Sequence, residues 1–214
     1  MGFPITATEY AAYLTLAAQK IEAEKEYISA LDAATGDGDH WANLNTGFER
    51  LVREREELAA LPLSACFQRI GMLMMNSIGG SSGILYGGAY MAAARTLRGK
   101  EVIDREALGQ VLQAMVEDMC TRGGSKPGYK TMIDALYPAA ETYRQLAERG
   151  AEDAELFSAV KRAALEGAEA TKEMEAVRGR AYYQPNKGVG HLDPGAVTMS
   201  YQIEILMDFI ARKV

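Results

Sequence analysis

Four clusters of glycine divide this chain into stretches whose apolar residues recur at helical spacing. The clusters are Gly36 and Gly38; Gly79, Gly80, Gly83, Gly87 and Gly88; Gly123, Gly124 and Gly128; and Gly188, Gly190 and Gly195. They hold thirteen of the 21 glycines, so the residue is concentrated rather than spread. Inside a helix glycine is less favourable than alanine by about 1 kcal/mol, whereas it suits sharp turns and close approach of the backbone to a ligand. The clusters therefore read as junctions, and the intervals between them as the structural elements.

Those intervals carry helical periodicity. In 7–30, Tyr10, Leu14, Ala17, Ile21 and Ile28 recur at steps of three, four and seven, and Thr6 with Glu9 has the form of a capping box. Further helices are expected over 43–58, 62–77, 83–97, 105–121, 130–149 and 154–174. Asp104 is placed to cap the fifth, and Gly87, Gly88 and the alanines at 92–94 suggest close packing of the fourth. An eighth helix opens at Asp193-Pro194, a cap residue followed by proline at the first helical position, and runs to about Arg212. No segment sustains a two-residue alternation. The expected fold is all-α: one domain over 1–214, an eight-helix antiparallel up-and-down barrel or bundle. The longest irregular stretch, 177–192, carries Arg178, Arg180, Lys187 and His191. Such a polar loop in a compact domain is often functional.

Charge and composition exclude several classes. With 29 acidic and 23 basic residues the formal net charge is −6, against nucleic-acid or anionic-membrane partners. A hydrophobic content of 48% can supply a core. No apolar run approaches the roughly 18 residues of a spanning helix. The opening MGFPITATEY lacks a basic start and an apolar stretch, so no signal peptide is expected. Cys66 and Cys120 read as two buried thiols in a reducing cytoplasm rather than as a disulfide framework.

The junctions carry the chemistry. The first places Asp32, Asp37 and Asp39 within eight residues, two of them beside glycine. Carboxylates so close repel unless a cation neutralises them, and Mg2+ favours oxygen ligands of this kind. An EF-hand does not fit, because the twelfth position from Asp37 is Phe48 rather than Glu. An acidic helix end with aspartates in turn and cap positions remains the alternative. The second junction, Gly79-Gly80-Ser81-Ser82-Gly83, precedes a helix and offers backbone N–H groups and hydroxyls suited to phosphate; a flexible turn is the plainer reading. The third and fourth add Arg122, Lys126 and Lys130, and His191 with Asp193. Met132 can close an apolar pocket over a base or simply be core. With two histidines, His40 and His191, a three-histidine zinc site is excluded. A Ser81-His191-Asp193 triad lacks a nucleophile elbow and a strand to carry it. The combination favours a magnesium–nucleotide site built from loops at one end of the helices.

These residues also carry a resemblance. The motifs are Leu31-Asp32 with Gly36-Asp37-Gly38-Asp39-His40, Asn43 and Asn45; Gly79-Gly80-Ser81-Ser82-Gly83 with Leu85-Tyr86-Gly87; Lys130-Thr131-Met132 with Asp134 and Pro138; and Gly179-Arg180-Ala181 followed by Gly190-His191-Leu192-Asp193-Pro194-Gly195-Ala196. In this order the chain resembles the nucleotide-binding L subunits of bacterial dihydroxyacetone kinases and the C-terminal nucleotide domain of the single-chain ATP-dependent kinases.

The resemblance implies an eight-helix barrel with the nucleotide at one end and two Mg2+ ions held by Asp32, Asp37 and Asp39. It implies that His40, Trp41, Ala42 and Asn43 line the phosphates, with Ser81 and Ser82 opposite. Gly123 and Met132 would border the adenine, and Arg180 with Asp193, Pro194 and Gly195 would close the site. Arg180 is the candidate catalytic residue, for charge on the transferred phosphoryl group. In the phosphotransferase version ADP stays bound as a cofactor. It accepts a phosphoryl group from a phosphohistidine carrier, the M-type subunit, and passes it to dihydroxyacetone on a K-type subunit. An ATP-dependent subunit for another small keto-sugar, and a non-enzymatic nucleotide-sensing partner, are the alternatives. Two positions depart from the family. Trp41 stands where glycine is usual, so an indole is expected over the nucleotide or the phosphate entrance. Tyr129 stands where aspartate is usual, which removes a carboxylate near the site.

Overall fold

The computed structural model describes residues 3–213; the expected domain limits, 1 and 214, lie outside the described residues. In chain order the helices are α1 (Ala7–Ala23), α2 (Lys25–Thr35), α3 (His40–Arg53), α4 (Arg55–Ala60), α5 (Leu63–Ser77), α6 (Gly80–Thr96), α7 (Arg105–Gly123), α8 (Ile133–Glu148), α9 (Asp153–Ala170) and α10 (Pro194–Ala211). Short 3-10 turns cover Thr171–Glu173 and Arg180–Tyr183. Among the described residues the one β pairing is an isolated antiparallel bridge, Ile5 to Ile103.

Among the described residues these helices form eight staves, because two expected helices are bent. The first is α1 and α2, broken at Glu24. The Trp41 indole Nε1 donates to the Ile21 carbonyl at 3.1 Å, one turn before the bend, a side-chain intrusion of the kind that bends helices. The second is α3 and α4, broken at Glu54. Glu54 is buried and accepts from Arg69 of α5 at 2.5 Å and from Arg50 at 2.7 Å, which draws the break toward α5. The starts of the helices follow their caps. The Thr6–Glu9 box is formed, Asp104 Oδ1 accepts from Ala107 N at 2.8 Å, and Asp193 Oδ2 accepts from Ala196 N at 2.7 Å.

Each stave packs on the next: α1 on α3, α3 on α5, then α5 through α10 in order, and α10 back on α1. The ring is closed, and short connections make neighbours antiparallel. The α5–α6 contact needs glycine. A Cβ on Gly87 would meet Met75 Cγ at 2.1 Å and the Gly71 carbonyl at 2.7 Å. The interior is filled by side chains from several staves. Tyr10 of α1 stacks on Phe67 of α5 with ring centroids 4.3 Å apart, and its hydroxyl meets that of Tyr90 of α6 at 3.1 Å. Gln202 of α10 donates to the Tyr86 hydroxyl at 2.8 Å and gives its carbonyl to Tyr13 at 3.2 Å. Buried hydroxyls thus find partners across the barrel, as burial of polar groups requires. Cys66 is buried and its thiol is pushed up to about 12 by that burial, so it is neutral and unreactive.

Because the staves alternate in direction, every second connection lies at the same end. Those are 36–39, 78–79, 124–132 and 171–193, the glycine-bearing junctions. Each leads into a helix N-terminus, so α3, α6, α8 and α10 all begin there. No helix among the described residues is long and apolar enough to cross a membrane.

Candidate functional site

The four junctions enclose a cavity of about 400 Å³. Asp32, Asp37, Asp39, His40, Asn43, Ser81, Ser82, Gly123, Met132, Arg180, Asp193, Pro194 and Gly195 all line it.

Its acidic corner is built by α2 and α3. Asp32 is not in the loop, as the sequence suggested, but on the last turn of α2. One carboxylate oxygen from each of Asp32, Asp37 and Asp39 lies within 4.8 Å of the others. Asp32 is buried, and its Oδ2 accepts from the first N–H of α3, that of His40, at 2.9 Å. Gly36 is required beside it, since a Cβ there would come within 2.4 Å of Asp32 Oδ1. The carboxyl end of α2 adds its own negative partial charge, so this corner strongly favours a cation. Arg180, on the 3-10 turn Arg180–Tyr183, supplies one charge by pairing with Asp37 at 2.7 Å. Three carboxylates against one exposed guanidinium leave the corner short of positive charge, and oxygen-only donors suit Mg2+.

The opposite wall favours an anion. Four helix N-termini meet here, each with orphan N–H groups and a positive partial charge. At α3 the His40 N–H goes to Asp32, at α8 Thr131 Oγ1 accepts from Ile133 N at 3.2 Å, and at α10 Asp193 caps Ala196. At α6, begun by Gly79, no side-chain acceptor is found among the described residues. Ser81 and Ser82 lie in that uncapped first turn, a ready position for a phosphate. Leu44, Ile78, Leu85, Met132 and Ile133 make the apolar part of the wall.

Neighbouring groups are tuned by burial. His40 Nε2 is 3.0 Å from Thr198 Oγ1, and burial holds its pKa below the ordinary value although Asp32 and Asp39 oppose this, so the ring is neutral at pH 7. Burial pushes the Asp193 carboxyl up to about 7, against the Ala196 N–H and Lys130. Burial likewise raises Asp134, which accepts from Gly128 N at 2.5 Å and Thr131 N at 2.7 Å.

Trp41 and Ala42, unlike the other expected site residues, do not line the cavity. Ala42 is exposed. Trp41 points back across the α1–α2 bend, where its Nε1 bonds Ile21, its ring packs on the core and Lys25 Nζ sits 4.6 Å from the ring centroid. The indole thus faces the α1–α2 bend rather than the cavity. What these two residues can offer the site is backbone: N–H groups in the first turn of α3. Tyr129 also stays out of the lining and contributes its carbonyl, which accepts from Val177 N at 3.3 Å.

Residues 34–208 match the DAK2 domain. The chain belongs to the DAK2 domain family. Among its relatives, the Escherichia coli "PEP-dependent dihydroxyacetone kinase, ADP-binding subunit DhaL" is 31% identical over 202 residues, spanning 94% of this chain and 96% of that one. The Listeria innocua "PEP-dependent dihydroxyacetone kinase 1, ADP-binding subunit DhaL" is 38% identical over 178 residues, spanning 83% and 84%. Among solved structures, the dihydroxyacetone kinase of C. freundii in complex with AMP-PNP and Mg2+ superposes with a TM-score of 0.72 at 27% identity. It covers 92% of this chain, which spans 33% of that longer one.

Within this DAK2 domain the cavity is also lined by Thr35, Ile78, Leu85, Ser125, Lys130, Thr131 and Arg178, which lie in or beside the junctions and motifs but were given no site role by the sequence. Lys130 was legible only as a loop base or a helix start. No local signal marks a lysine whose side chain turns inward from a left-handed backbone.

Proposed function

We propose that this chain is the nucleotide-binding phosphoryl-transfer subunit of a PEP-dependent dihydroxyacetone kinase, acting in the cytoplasm as one unit over residues 1–214. ADP is held as a cofactor; it accepts a phosphoryl group from a phosphohistidine carrier of M type and passes it to dihydroxyacetone on a K-type subunit. The observation that carries this reading is the meeting of three carboxylates and four helix N-termini on one cavity. Family membership and near full-length relatives described as ADP-binding subunits support it.

The residues take these roles. Asp32, Asp37 and Asp39 would hold two Mg2+ ions, which would neutralise phosphate charge. The α6 N-terminus with Ser81 and Ser82, and the first turn of α3 over His40, Trp41, Ala42 and Asn43, donate hydrogen bonds to phosphate oxygens, Trp41 and Ala42 through backbone N–H alone and His40 and Asn43 through their side chains, since their own N–H groups go to Asp32 and Asp39. Gly123 and Met132 border the base, and Asp193, Pro194 and Gly195 close the far side. Arg180, exposed and paired with Asp37 at 2.7 Å, would be freed from that pair if Asp37 held a metal ion, and its guanidinium would then meet charge on the transferring phosphoryl group. Fixed donors and charges suffice for such a transfer without a covalent group on this chain.

Native mass spectrometry of the purified protein tests the reading. It should carry ADP, and stripping nucleotide and Mg2+ should lower Tm by about 5–15 °C, reversed by Mg–ADP, as expected for a ligand at about 100 to 1,000 times its Kd. Protein that is isolated clean of nucleotide and whose Tm ignores Mg–ADP would overturn it. A second reading, an ATP-dependent subunit for a small keto-sugar, has the AMP-PNP complex of the C. freundii kinase in its favour. Turnover with a K-type subunit on ATP alone, without a PEP-driven carrier, selects that reading.

A further inference from the structure

Lys130 is the buried cation of the site end. Its residue is 2% exposed, yet no carboxylate lies within ion-pair distance of its ammonium among the described residues. Instead Nζ donates to two backbone carbonyls, Thr171 at 2.5 Å and His191 at 2.5 Å. These carbonyls stand at the two ends of the 171–193 connection. The backbone at Lys130 is left-handed, φ +60°, a conformation that its junction otherwise gives to glycine at Gly124 and Gly128. Asp134 imposes this by accepting N–H groups on both sides, from Gly128 and Thr131. A side chain kept where glycine fits the backbone better argues that the side chain has a task.

The surroundings identify the task. Thr171 Oγ1 accepts from Asp193 N at 2.9 Å, and Gly190 N donates to Lys172 O at 2.8 Å, so the ends of the connection are joined beside the ammonium. A Cβ on Gly188 would lie 3.0 Å from Lys130 Cε and 3.0 Å from Ala181 Cβ, so the loop also packs on the lysine stem next to Arg180. We infer that Lys130 is a positioning residue: its ammonium clasps the 171–193 connection shut, and so sets Arg180 and the Asp193–Gly195 turn against the cavity. The inference rests on the proposed nucleotide site for its functional meaning, but the clasp is testable without ligand.

The test compares Lys130→Met, Lys130→Gln and Lys130→Gly in the full chain. In ligand-free protein, hydrogen exchange over 172–192 should quicken at least tenfold in Lys130→Met, with α5 and α6 unchanged. Lys130→Gln, which keeps an N–H donor, should fall between it and wild type. Lys130→Gly relieves the backbone but loses the clasp, and should exchange like Lys130→Met. With K-type and carrier subunits added, kcat should fall while KM for dihydroxyacetone, held on the partner, stays constant. Wild-type exchange over 172–192 in Lys130→Met or in Lys130→Gly overturns the inference. Should Lys130→Met not fold, equal exchange in the Gln and Gly variants overturns it as well. Failure of the wild type to bind Mg–ADP refutes the proposed nucleotide site instead, and leaves the exchange comparison to judge the clasp.

Discussion

At the end of the barrel away from the cavity, α1 and α7 are capped by side chains and charged groups are paired, while α5 and α9 start without a side-chain cap. The capping box of Thr6 and Glu9 starts α1, Asp104 starts α7, and the Ile5–Ile103 bridge ties the first residues to the α6–α7 connection. Arg105 bonds Asp153 at 2.6 Å and the Ala151 carbonyl at 2.6 Å, and its own carbonyl accepts from Tyr143 at 2.8 Å. Lys213 pairs with Glu9. At the other end α6 starts without a side-chain cap, three carboxylates crowd within 4.8 Å, and among the described residues the cation paired with them is an exposed arginine. The staves are common to both ends; what differs is that one end pairs its charges while the other crowds three carboxylates around a single ion pair. Closure of one end by short loops and ion pairs fixes the staves, which lets the other end carry unmet polar groups without unravelling.

The comparison predicts where substitutions act, ranked here by effect on Mg–ADP affinity. The largest belongs to Asp37→Ala. Losing a metal ligand should weaken binding by about 100-fold or more, beyond the roughly 10–100-fold typical of outer-shell partners. The exposed pair with Arg180 contributes only about 0–1 kcal/mol, so Tm of the ligand-free protein should move by less than about 4 °C. Calorimetric titration and a melting curve measure the two. Affinity within a few-fold of wild type would remove Asp37 from the ligand set and leave an acidic helix end.

How much of this was written in the sequence differs between elements. Helix starts were legible where a cap lies within three residues of its target, as at Thr6, Asp104 and Asp193. The glycine junctions were legible because glycine is unfavourable inside helices and was clustered. The bends at Glu24 and Glu54 were not, because each depends on a partner from another stave: Trp41 in one case, Arg69 in the other. Asp32 read as a loop residue because a carboxylate on the last helical turn opposes the helix dipole. That unfavourable placement makes sense only beside the cation site it helps to build. Lys130 was hidden for a related reason, its inward turn being set by Asp134 and by carbonyls 41 and 61 residues away.

Trp41→Gly installs the residue usual at this position of the resembled kinase subunits, and its effect on affinity should be small. The indole faces the α1–α2 bend, and the backbone N–H survives the change. Mg–ADP affinity should stay within about threefold. Stability should fall by about 1–3 kcal/mol, less than the roughly 3–5 kcal/mol of a fully buried tryptophan. Tm should then drop by several degrees, and α1 and α2 should straighten. A tenfold loss of affinity without loss of stability would return the indole to the phosphate entrance.

The smallest effect on affinity should come from Arg105→Ala, which breaks the closed end alone. The charge-assisted bonds to Asp153 and Ala151 are half-buried, and hydrogen bonds to charged groups contribute about 1.5–3 kcal/mol, so Tm should fall by about 3–10 °C. Mg–ADP affinity measured well below that Tm should remain within about twofold, because no residue of the Arg105 cluster lines the cavity. Conversely, bound Mg–ADP should raise the Tm of Arg105→Ala by the same increment as that of wild type. If the increment shrinks, the two ends share one cooperative element and the closed end tunes the site. If it is preserved, the barrel wall insulates them, and the polar groups left open around the cavity are held in place by the staves themselves.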